Sequence, residues 1–152
     1  LHEILKSGGQ HMTPERIIAL VETRNAIEGG ALIRLAASHT PEDIKEFEAH
    51  IERFRSARGK GLSADELGRM TKDFHYHICK LSRNEVFILL MNSFAEISQG
   101  LWRHCAGHWG LDGLIEQSEH IVFLIKQGRG LDAQIYITEK FNEYVRECGI
   151  KV

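Results

Sequence analysis

The sequence predicts an all-α fold, an antiparallel bundle of about six to seven helices, and three observations carry that prediction. Apolar residues recur at helical spacing through most of the chain. Helix-capping residues stand where those runs begin, and no stretch alternates apolar and polar residues as a half-buried strand does. With 152 residues, 43% of them hydrophobic, one domain has enough apolar material for a core without disulfides or other staples.

The elements follow in order. Pro14 and Pro41 each come after a threonine that can cap a helix, with the proline taking the first helical position. From Pro14, the stripe Ile17, Leu20, Val21, Ile27, Ala31 and Leu35 runs to the polar turn Ser38-His39-Thr40. Thr40-Pro41-Glu42-Asp43 is a capping box with Asp in place of Glu, and Ile44, Phe47, Ile51 and Phe54 form the next stripe. Ser56 to Gly61 reads as an exposed loop. The full capping box Ser63-Ala64-Asp65-Glu66 opens a helix with Leu67, Met70, Phe74, Ile78 and Leu81 on one face. Asn84 to about Cys105 has few polar positions, as a helix surrounded by others would. Gly107, Gly110 and Gly113 then predict a break. Leu114 to Gln127 and Leu131 to Cys148 are two more helices, divided by Gly128-Arg129-Gly130. A short segment around Leu1 to Leu5 precedes the bundle.

Composition narrows the function. Nineteen Lys and Arg against twenty-one Asp and Glu give a formal charge of -2, so this stretch lacks the positive field that holds a nucleic-acid backbone. Cys79, Cys105 and Cys148 form no CxxC pair, which points to free thiols in a reducing compartment, the cytoplasm. No run reaches the roughly 18 apolar residues of a membrane span, and no signal segment opens the chain.

The residues able to carry chemistry are few. His2, His11, His39 and His50 fall in termini, turns or polar faces and read as ordinary surface. His75, beside the Phe74/Ile78 stripe, and His120, between Leu114, Gln117, Ile121 and Leu124, are predicted to point inward, either as neutral core histidines or as ligands. Arg24 falls on the inward side of the first helix and needs an anionic partner. Two candidates stand open: Glu28 one turn later, or the carboxylate of a bound small molecule gripped by the planar fork. His104/His108 and His75/Cys79 share the i, i+4 spacing of paired metal ligands, although the glycines after His104 put helical continuity there in question. No Glu has a His three residues later, which excludes a di-iron carboxylate bundle. Phosphate loops, nucleophile elbows and zinc-protease signatures are absent from the sequence.

Glu22-Thr23-Arg24-Asn25-Ala26-Ile27-Glu28 followed by Leu35-Ala36-Ala37 resembles the opening of the FCD domain, the C-terminal effector domain of FadR-type GntR transcription regulators. Phe74-His75 with Ser82-Arg83-Asn84, then Glu119-His120 and Gly130-Leu131-Asp132-Ala133, resemble that family's later signatures in the same order. The resemblance implies a cytoplasmic, homodimeric effector domain at about residues 13 to 150. Residues 1 to 12 would end a linker from a DNA-binding winged helix-turn-helix that this sequence does not contain. The implied ligand is a small carboxylate metabolite, with Arg24, His75 and His120 as effector-binding residues. The implied cofactor is a divalent metal, Zn or Ni, which many members hold through one Asp and three His. His75 and His120 match two of these. The Asp position is Thr71 here, with Asp73 adjacent but pointing elsewhere, and the last His falls at Asn142 or Glu143; Thr71 and Asn142 are poor ligands. The expected function is therefore ligand sensing rather than catalysis. Two alternatives remain: a metal-dependent hydrolase or lyase with Glu143 as base, and a purely structural dimerisation bundle.

Overall fold

A computed structural model describes residues 13–149, and within them the chain is all helix and connections. Six helices run in order: α1 (Pro14–Ser38), α2 (Pro41–Ser56), α3 (Ala64–Leu81), α4 (Glu85–Ser93), α5 (Ala95–Lys126) and α6 (Gly130–Glu147). The predicted segment around Leu1 to Leu5, the linker at 1–12, His2 and His11 lie outside the described residues. Among the described residues, no helix is long and apolar enough to cross a membrane.

The predicted caps set the helix starts. Thr13 accepts a hydrogen bond from the Arg16 N–H, and both Thr40/Asp43 and Ser63/Glu66 close reciprocal capping boxes. Gly128, at φ 70°, ends α5 in the left-handed conformation expected there.

The middle of the chain corrects the sequence reading in two ways. The helix expected from Asn84 to about Cys105 is two helices, with a break at Phe94, and the first of them is not enclosed: Val86, Leu89 and Leu90 are exposed on α4. Of the three glycines expected to break the chain, only Gly110 departs from helical geometry, at φ 67° and ψ 173°. Glycine adopts that backbone without a Cβ clash. Gly107 and Gly113 stay within α5, so His104 and His108 share one continuous helical segment.

The packing places α3 along α5 and α1 along α6, with α2 and α4 covering their flanks. A Cβ on Gly68 would lie 2.8 Å from the backbone N and Cα of Arg103, so this glycine is what allows α3 and α5 to approach so closely. The main core gathers Leu32, Phe47, Phe54, Phe74, Ile78 and Ile125 from four helices. A second cluster, around Leu20, Leu101, Trp102, Phe141 and Tyr144, joins α1, α5 and α6. The polar residues described next lie where α1, α3 and α5 meet.

Candidate functional site

Arg24 is the largest charged side chain in the interior, 1% exposed. Its helix carries it inward between Leu20, Val21 and Ile27, as the apolar spacing predicts. An interior guanidinium needs anions and acceptors. Nη2 donates to Glu28 Oε2 at 3.1 Å and Nη1 donates to Ser98 Oγ at 3.4 Å. The guanidinium carbon lies 4.4 Å from the centre of the Trp102 ring, a cation–π contact.

The other oxygen of Glu28 pairs with Nδ1 of His75 on α3. Glu28 is fully buried and joins the two cationic-type side chains of neighbouring helices. Burial works against its charge, but His75 and Arg24 outweigh it and hold the carboxyl below its usual pKa range. The His75 ring also stacks on Trp102 at 4.3 Å between centres. Cys79, one turn after His75, is buried, and that burial with the nearby Glu28 charge pushes its thiol up to about 12, far from a thiolate.

This cluster opens on a cavity of about 210 Å³. Arg24 and Ser98 line its inner side together with Met91 and Ala95. Lys72, Asp73 and Tyr76 of α3 and Asn92 of α4 complete the lining. Two buried donors in the cluster have no acceptor among the described residues: Nε of Arg24 and Nε1 of Trp102. Orphaned donors of this kind are rare in folded proteins and call for a partner.

The structure brings together Arg24 and His75 but not His120. His120 is exposed on α5, against Tyr136 at 4.4 Å and Phe123 at 6.2 Å. The expectation that it points inward fails because the buried stripe after Gly110 is centred on Leu114, Ser118, Ile121 and Ile125. At 3.6 residues per turn, His120 falls on roughly the opposite face of that stripe. The inward position two residues earlier is Ser118.

The donor set implied for a metal likewise does not converge. Thr71 is buried and donates to its own helix at Leu67 O, Glu143 pairs with Lys140 on α6, and Asn142 is exposed. Among the described residues, no three His, Cys, Asp or Glu side chains are grouped to hold a metal ion. His75 stands as the one imidazole of that set beside the cavity cluster. Glu143, the base expected for a hydrolase or lyase, does not line the cavity. Elsewhere on α5, His104 approaches the Tyr144 hydroxyl and His108 pairs with Glu147.

His50 corrects a second expectation. Read as surface, it is buried against Phe74 and His77, with Nδ1 2.6 Å from Arg53 Nη2. Burial, then the positive charges of Arg53 and His77, push its pKa down to about 4 against the opposing charge of Glu46. The unfolded chain, titrating near 6.5, takes up this proton first as pH falls, so stability is lost between about pH 6.5 and pH 4. After discounting for solvent screening the loss is roughly 1–2 kcal/mol. Urea midpoints measured across that range should fall for the native chain and fall less for His50→Leu. Equal slopes would refute a neutral, buried His50.

Sequence reasoning placed Arg24 and His75 but treated Glu28 as a modest local pair and did not find Trp102, Ser98, Lys72 or Asn92. Only the i, i+4 spacing of Arg24 and Glu28 signalled the pair. Its third member comes from a helix 47 residues away.

A family model for the FCD domain matches residues 19–141, a span that holds the whole cluster and its cavity. No curated protein matches the chain.

Proposed function

The chain belongs to the FCD-domain family, the regulatory, ligand-sensing domains of the GntR group, and on that premise we propose that the cavity beside Arg24 binds a small carboxylate effector without a bridging metal. One observation carries this reading: Arg24, buried and paired with Glu28, lines a cavity large enough for a small molecule and keeps an Nε without a partner among the described residues. An incoming carboxylate supplies the missing acceptors. The metal-free part of this reading is supported by the donor side chains, of which no three His, Cys, Asp or Glu are grouped among the described residues. Occupancy would link α1, α3, α4 and α5 across the cavity and favour one of their arrangements, which a winged helix-turn-helix joined before residue 13 would read as a change in DNA binding.

The test is heat denaturation of the purified chain with a panel of small carboxylates, in chelator and again with added Zn or Ni. A ligand at one hundred times its Kd contributes about 2.7 kcal/mol, enough to move the melting temperature by several degrees. Arg24→Lys keeps a cation for Glu28 but lacks the second N–H of the fork. That variant should lose most of the shift while remaining folded. A panel with no response, or a response only in the presence of metal, would overturn the proposal.

We further propose that the domain is a homodimer through the face made by α4, α1 and α6. Phe87 of α4 packs on Gly30 of α1, and Gly130 of α6 abuts Ile33 of α1, so the three helices share one side of the bundle. Val86, Leu89, Ile33, Leu131 and Ile135 all stand exposed on these helices. A two-fold axis needs only one self-complementary patch, and exposed apolar side chains on one side of the bundle can form one. Sedimentation should give a dimer for the native chain and a monomer for Leu89→Glu with Leu131→Glu. A native monomer at micromolar concentration would count against it.

A further inference from the structure

We infer that the effector of this cavity is a zwitterion, a small α-amino acid, rather than a simple carboxylic acid. The inference rests on the proposed effector role of the cavity and concerns the charge of its occupant.

The lining carries both signs. Arg24 and Lys72 bring positive charge to it and Asp73 brings negative charge. Glu28 already offsets Arg24 along one edge of the guanidinium. Neither Lys72 nor Asp73 has a hydrogen bond or ion pair among the described residues, so both are available to an occupant. A plain carboxylate satisfies only the cationic side of this lining and leaves Asp73 unpaired beside it. A molecule that is neutral overall but carries both signs meets both. Its carboxylate meets the orphaned Nε of Arg24 and the Ser98 hydroxyl, and its ammonium meets the Asp73 carboxylate and the side-chain carbonyl of Asn92. Met91 and Ala95 supply an apolar surface for a short side chain. A volume of 210 Å³ corresponds to about seven waters of bulk liquid, which accommodates an amino acid of modest size.

The test is calorimetric titration of the purified chain with matched series on three skeletons. The first is alanine, lactate and propionate; the other two are the corresponding amino, hydroxy and unsubstituted acids of valine and leucine. On at least one skeleton, the amino acid should bind at least tenfold more tightly than both partners. Asp73→Asn should remove that preference while leaving the affinity for the unsubstituted acid within about twofold. If the hydroxy or plain acid binds as tightly as the amino acid in every series, the zwitterion inference falls and the carboxylate reading stands. If no acid of any series binds, both fall.

Discussion

Replacing Glu28 by Gln is expected to destabilise the fold by about 3–5 kcal/mol, a large share of the 5–15 kcal/mol that holds a typical domain together. Gln matches Glu in shape, so the variant opens no cavity and tests charge alone. What it removes is the only carboxylate among the described residues in contact with Arg24, leaving a guanidinium that is 1% exposed without that anion. It also gives His75 an amide in place of a charge-assisted partner. The cost is that of an orphaned interior charge, not the net worth of the pair. Arg24→Met combined with Glu28→Leu should therefore recover most of the loss, because both charges leave together and the Met side chain still covers Trp102. Acid titration gives an independent check. Glu28 has a folded pKa below its ordinary value of 4.5, so its contribution is complete above that pH and is lost as pH falls through the depressed folded value. The Glu28→Gln chain should lack that acid-dependent loss. A Gln variant melting within about 1 kcal/mol of the native chain would mean that Arg24 finds other compensation and that the triad has been misread.

The fold was legible in this sequence because its signals are local. Thr-Pro pairs and capping boxes fix helix starts within one turn, and the stripe on α1 places Arg24 inward from its own neighbours alone. His75 was legible in the same way, on a helix with a strong apolar face. What escaped depended on contacts between distant segments. Glu28 looks like any i, i+4 partner until α3 brings His75 against its free oxygen. On α5, the kink at Gly110 resets the phase of the stripe, so Leu101, Trp102 and Cys105 before it cannot predict which residues face inward after it. His120 was misplaced by centring the stripe on Gln117 and Leu124 when Ser118 and Ile121 are its middle. Asp73 was read as pointing away, and it does point away from the interior; the sequence has no means of showing that a cavity opens there.

Trp102→Ala should cost as much as losing Glu28, about 3–5 kcal/mol, and for a different reason. The Trp102 ring is wholly buried and touches three partners at once: the Arg24 guanidinium, the His75 imidazole at 4.3 Å, and Phe141 at 5.5 Å. It stands in the second core cluster and also forms the floor on which the Arg24–Glu28–His75 group is stacked. Truncation empties that floor, and the residues above it cannot close the space without separating Glu28 from one of its partners. Trp102→Phe distinguishes this from any role of the indole N–H. Nε1 makes no hydrogen bond among the described residues, so Phe gives up ring area and no such bond, and should cost only about 1 kcal/mol. Denaturant midpoints of the two variants are the measurement. If Phe were as damaging as Ala, the indole nitrogen would have a partner that the described residues do not provide, and its place among the orphaned donors would have to be withdrawn. If Ala were mild, the stacked floor would not be what holds α1, α3 and α5 in register. The cavity beside Arg24 would then owe its shape to the charged group alone, and the Glu28→Gln variant would have to lose both stability and ligand binding together.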